Sequence, residues 1–190
     1  MARTDDLYTL PQGLPVPRDD GACAHLTGMK LPSSALRATD GATVDLSRSP
    51  GRTVIYCYPR TGRPDQPLLP GWNDIPGARG CTPQSVCYRD HYHELLELGV
   101  AALFGLSTQD TGYQQEVVER LRLPFQLLSD EHLALTHALK LPTFDIQGMT
   151  LIKRLTLIVN DGCIEHVFYP VFPSDSDAPG IIRWLDEQTK

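Results

Sequence analysis

Two cysteines stand six residues apart in the run Gly80-Cys81-Thr82-Pro83-Gln84-Ser85-Val86-Cys87, where a loop gives way to a helical pattern. The first turn of a helix has backbone N–H groups without partners and carries the positive end of the macrodipole. A thiol at that place has its thiolate stabilised, and the thiolate is the nucleophile. Pro83 fits a first turn, where a missing N–H costs nothing. The spacing and position point to redox chemistry at Cys81. Other readings stand beside it. The two cysteines could simply fill apolar space near a helix start. A zinc site of Cys81, Cys87 and His91 would need a fourth ligand, and its five intervening residues exceed the two to four of common zinc pairs. A thioredoxin-type dithiol would carry Cys-x-x-Cys, which is absent.

Cys57 lies mid-strand and is expected to be buried and inert. Cys163 lies beside a hairpin turn and is expected to be exposed, and Cys23 falls in an N-terminal arm expected to be mobile. His91 and His93 are expected to face solvent on the helix. Five cysteines at irregular spacing do not make a disulfide framework. They fit a reducing compartment, so a cytoplasmic location is expected. The first twenty residues carry no apolar run of the kind a secretory signal needs. No run reaches the roughly 18 apolar residues of a membrane helix. The chain has 190 residues and a net charge of −6, which gives no electrostatic reason to expect nucleic acid or an anionic membrane as a partner.

The elements that must position these residues follow from pattern. Residues 1–30 are rich in Pro, Gly and Asp and read as an extended arm of low order; 31–190 read as one domain. Asp40-Gly41 between short apolar runs signals a hairpin. Thr53–Tyr58 is a β-branched and aromatic run, hence a central strand, and Pro59 ends it. Residues 60–80 form a long loop, of a length that is usually functional or disordered. A helix is expected over 82–98, a strand over 100–106, a helix over 112–122, a strand over 125–128 and a helix over 131–139. Thr150–Val159 and Ile164–Tyr169 read as two strands around Asn160-Asp161-Gly162, followed by a closing helix over 178–188. The alternation predicts an α/β fold with a mixed central sheet and helices on both faces.

Five segments in order carry a resemblance. These are Leu31-Pro32 with Asp45-Leu46-Ser47, then Val54-Ile55-Tyr56-Cys57-Tyr58-Pro59, then Gly80-Cys81-Thr82 with Cys87, Arg89 and Asp90. Leu123-Pro124-Phe125 with Leu127-Leu128-Ser129-Asp130 follows, then Lys153-Arg154-Leu155-Thr156-Leu157-Ile158-Val159 with Asp161-Gly162. Together they resemble a peroxiredoxin of the Q-type, or bacterioferritin-comigratory, branch. The resemblance implies a thioredoxin-like fold and reduction of hydrogen peroxide or organic hydroperoxides. It makes Cys81 the peroxidatic cysteine, Cys87 the resolving cysteine in an intramolecular disulfide, and Arg154 the catalytic arginine. It implies a thioredoxin or glutaredoxin-like reductant, a monomer or homodimer, and neither metal nor organic cofactor. Taken alone, Arg154 reads equally well as an edge-strand arginine in a surface ion pair.

Two departures from the family pattern stand out. The family places a Thr or Ser three residues before the cysteine, and this chain has Ala78 there. The stretch from Arg60 to Arg79 separates Pro59 from Cys81, so Pro59 is expected to keep the shielding role, with Thr61 or the loop's Arg79 supplying the missing donor. Cys87 also lies six residues after Cys81 where five is usual. In an intact helix that spacing sets the α-carbons about 9 Å apart. A disulfide tolerates roughly 7 Å, so the helix start must open. The missing hydroxyl motivates a second reading, a redox-sensing or binding protein on the same fold.

Overall fold

The computed structural model describes residues 5–188. Among these, seven strands form one sheet in the order β2-β1-β5-β4-β3-β8-β9. They are β1 (Leu36–Ala38), β2 (Thr43–Val44), β3 (Arg52–Cys57), β4 (Val100–Ser107), β5 (Gln126–Ser129), β8 (Leu155–Asn160) and β9 (Cys163–Phe168). The pairs β3–β4 and β4–β5 are parallel, whereas β3–β8, β8–β9, β1–β5 and β1–β2 are antiparallel. The helices are α1 (Cys81–Asp90), α2 (Tyr92–Glu97), α3 (Thr111–Leu121), α4 (Ala134–Ala138) and α5 (Asp177–Gln188). This is the expected mixed α/β arrangement, and no helix among the described residues is long and apolar enough to cross a membrane.

Strand β3 shows how the sheet serves two cores. Successive side chains of a strand point to opposite faces. Val54, Tyr56 and Tyr58 therefore join α1, α3 and α5 in one buried cluster, with Tyr88, Val117 and Ile181. Ile55 and Cys57 join the other, with α4 and the N-terminal segment, through Leu135, Cys23 and Leu26. Tyr56 pins α1 to the sheet: its ring stacks on Tyr88 at 4.4 Å, and its hydroxyl lies 3.1 Å from Ser85 Oγ. Gly105 on β4 makes room for this ring, since a Cβ there would collide with Tyr56 and Leu127.

Three expectations need correction. The N-terminal segment is packed, not of low order: Leu7, Cys23 and Leu26 are buried, and Gly28 N donates to Ile164 O at 2.8 Å. Its Pro and Gly content breaks periodicity without preventing single apolar anchors from seating. The helix expected over 82–98 is two helices. It breaks at His91, whose Nδ1 lies 2.9 Å from the Cys87 carbonyl, so His91 is half-buried and does not face solvent freely. The strand expected over 150–159 is also two. β6 (Thr143–Ile146) and β7 (Met149–Ile152) form a separate hairpin before the chain enters β8. Its turn, Gln147-Gly148, holds both residues at positive φ (50° and 75°). That is the two-residue hairpin geometry usually announced by Asn-Gly or Asp-Gly, and glutamine gives no such signal.

Candidate active site

Helix α1 starts at Gly80, which takes φ 109°, a value costly for any residue with a side chain. A Cβ there would also collide with Ser174 and Leu10. This turn delivers Cys81 as the first helical residue, at the floor of a cavity of about 40 Å³. The cavity is lined by Leu7, Arg60, Thr61, Trp72, Thr82 and Tyr113 among others. Cys81 is buried at 3% exposure, and its Sγ lies 3.7 Å from the Ala78 carbonyl.

Arg154 meets this thiol. Its Nη2 donates to Cys81 Sγ at 3.2 Å. The guanidinium is held by the loop in front of α1, with Nε to Gly77 O at 3.2 Å and Nη2 to the Ala78 and Arg79 carbonyls at 3.2 and 3.3 Å. Nη1 donates to Gln84 Oε1. Arg154 lies in the two-residue break between β7 and β8, which turns it inward to 3% exposure. Its partners are carbonyls, an amide oxygen and a thiol, not the carboxylate of a surface ion pair.

Behind Gln84 lies a buried carboxylate. Gln84 Nε2 donates to Asp177 Oδ2 at 2.7 Å, and Thr156 Oγ1 donates to the same oxygen at 2.8 Å. Burial raises the Asp177 pKa, and the bonds from Gln84, Thr156 and Tyr88 work against that rise. Neither Gln84 nor Asp177 stood out in the sequence. Gln84 had one available signal, its place three residues after Cys81 on the same helix face.

Thr61 is brought to the cavity, although it lies twenty positions before Cys81. It is fully buried; its hydroxyl donates to Gln109 Oε1 at 3.2 Å and its N–H to the same oxygen at 3.1 Å. Tyr113 fixes it from the other side, donating to the Thr61 carbonyl at 3.1 Å. Pro59 is buried where β3 ends and is not one of the residues lining the cavity. Arg79 lines it, but its guanidinium is committed to the Asp5 carboxylate and the Asp6 carbonyl. Thr82 Oγ1 is buried beside Cys81 without a hydrogen-bond partner.

The remaining cysteines differ. Cys87 is buried, and its Sγ donates to the Asp175 carbonyl at 3.0 Å. Burial chiefly raises its pKa, to about 11, opposed by the Ala178 N–H and helped by Asp177 and Asp175. Cys87 and His91 do meet, at 4.0 Å, but Cys81 faces Arg154 and does not join them, so the zinc geometry is not formed. Cys23, expected in a mobile arm, is buried, and burial with Asp20 and Asp19 pushes its pKa to about 12. Cys57 is fully buried, as expected, and its pKa is pushed far up by burial. Cys163 is half-buried.

Comparison with known proteins adds to this geometry. A model of the Redoxin family matches residues 26–182. The protein named peroxiredoxin Q, chloroplastic, of Oryza sativa subsp. japonica is 32% identical over 143 residues, which cover 74% of this chain and 58% of the rice protein. That of Gentiana triflora is 26% identical over 186 residues, 94% of this chain and 77% of the other. Among solved structures, peroxidoxin BcpB from Mycobacterium tuberculosis superposes with a TM-score of 0.68 at 24% identity, covering 86% of this chain and 98% of the other. The chain thus spans a little over half the length of the rice relative it matches, and the structural likeness shows the fold.

Proposed function

Because this chain belongs to the Redoxin family, as a peroxiredoxin of the Q type, we propose that it is a thiol-dependent peroxidase with Cys81 as the attacking sulfur. One observation carries the reading: a nearly buried guanidinium, that of Arg154, donates to Cys81 Sγ at 3.2 Å at the start of a helix, on the floor of a cavity. The thiolate attacks the terminal oxygen of a hydroperoxide. An S–O bond forms, the O–O bond breaks, and the alcohol or water leaves after taking a proton. Negative charge grows on the leaving oxygen, and preorganised donors aimed at growing charge do most to lower such barriers. Arg154 and the free N–H groups of the α1 start supply them. Thr61, whose hydroxyl proton goes to Gln109, presents lone pairs that accept the O–H of the bound peroxide. Pro59 supports this segment from behind without touching the cavity.

The product is a Cys81 sulfenic acid. In this reading Cys87 then attacks it, an S–S bond forms and water is released. Six residues of helix hold the two α-carbons about 9 Å apart, so the first turns of α1 must open. Opening also frees Cys87 from Asp175 and from the burial that keeps it protonated. Thioredoxin or a glutaredoxin-like dithiol, acting in the cytoplasm, reduces the disulfide. The 1–30 segment and the 31–190 region then serve as an accessory and a catalytic part of one unit. The test is peroxide consumption coupled to a thioredoxin system. Cys81→Ser is expected to abolish it; a variant that keeps full activity removes Cys81 from the mechanism.

A further inference from the structure

The segment before residue 26 lies outside the stretch that matches the Redoxin family, yet it reaches the cavity over Cys81. Its path is pinned at several points. Leu26 and Cys23 sit in the core. Asp20 pairs with Lys153 at 2.9 Å and accepts from Tyr169 at 2.9 Å. Leu10 packs where any Cβ on Gly80 would collide with it. The far end is bent by Asp6, whose carboxylate accepts from Tyr8 N and Thr9 Oγ1, each at 2.8 Å. This turn sends Leu7 inward, 8% exposed and lining the cavity, while Tyr8 stays 51% exposed. The end is latched by Arg79, itself buried, which grips the Asp5 carboxylate and the Asp6 carbonyl.

We propose that this strap, with Leu7 as its wall and the Arg79–Asp5 pair as its latch, sets the size of hydroperoxide that reaches Cys81. The inference rests on the peroxidase reading above. With the strap in place the cavity over Cys81 is about 40 Å³. That space is of the order of a few small molecules, and it suits hydrogen peroxide or a short primary hydroperoxide. A tertiary aromatic hydroperoxide must displace Leu7. The strap is thus a specificity device that the matched family region does not contain.

The test compares the full-length protein with Leu7→Ala, Leu7→Met and Asp5→Asn, using hydrogen peroxide and cumene hydroperoxide. In Leu7→Ala the ratio of kcat/KM for cumene hydroperoxide over hydrogen peroxide is expected to rise about fivefold or more, the scale of removing methylenes from a pocket. Leu7→Met conserves volume and is expected to keep the parent ratio. Asp5→Asn, which weakens the latch and leaves the core untouched, is expected to raise the ratio less than Leu7→Ala. A ratio unchanged in both Leu7→Ala and Asp5→Asn, or parallel loss on both substrates, overturns the proposal. A second readout separates this failure from failure of the peroxidase reading. Labelling of Cys81 by small methyl methanethiosulfonate against bulky dithiobis(nitrobenzoate), located by peptide mapping, needs no peroxide chemistry. A labelling ratio that shifts without any peroxide turnover sinks the peroxidase and keeps the strap; an unshifted one sinks the strap.

Discussion

Cys57 and Cys81 lie at nearly the same depth, 0% and 3% exposed, on opposite faces of one sheet. Cys57 is packed among Leu, Ile and Val side chains, and burial chiefly, with Cys23, Asp130 and Asp177 acting in the same direction, pushes its pKa far up. Cys81 has Arg154 at 3.2 Å, the start of a helix beneath it and a cavity above. Desolvation without a partner disfavours charge, whereas desolvation around a fixed cation and aligned N–H groups creates a place for it. Depth alone does not distinguish the surroundings of the two cysteines; the donors beside them do.

That contrast breaks most sharply at Arg154. Arg154→Met is expected to slow the reaction of Cys81 with peroxide by about 100- to 1,000-fold, the scale of losing a preorganised donor, as read by stopped-flow fluorescence. A loss below tenfold would make Cys81 no better served than its buried counterpart. Gln84→Leu removes an acceptor that aims Arg154 and uncovers Asp177 on one side; a loss near tenfold is expected, without a change in which cysteine is oxidised.

Cys87 lies between the two extremes and is separable by pH. Its pKa rises from 9.0 to about 11 in the folded chain. A raised value means the folded state holds the proton more tightly. The resulting stability is fully present below about pH 9 and is lost as pH climbs through about 11. The thermal midpoint is expected to fall over that window, and Cys87→Ala to fall less. An equal fall in both would place the titration elsewhere. The smallest functional effect belongs to Cys57. Cys57→Ala is expected to keep peroxide turnover within about twofold while costing about 1–2 kcal/mol of stability in urea unfolding.

What was legible in the residues is mostly local. The helix start at Cys81 follows from a glycine, a proline in the first turn and a helical pattern behind them. β3 follows from its β-branched and aromatic run. Arg154 was found only through resemblance, because nothing in Lys153-Arg154 says that the chain turns its side chain inward there. The β6–β7 hairpin was hidden by a Gln-Gly turn inside a continuous apolar stretch. The strap was hidden for a related reason: Leu7, Leu10 and Cys23 are isolated anchors, and periodicity detects only elements that repeat.

The sequence by itself determined where α1 begins and most of the alternation of strands and helices, since capping and side-chain alternation act between neighbours. Only the tertiary structure decided what surrounds the sulfur. Thr61, Gln84, Arg154 and Leu7 come from four separate stretches of chain. Their meeting depends on how the loops, the α1 start and the N-terminal strap pack together, which no local pattern encodes.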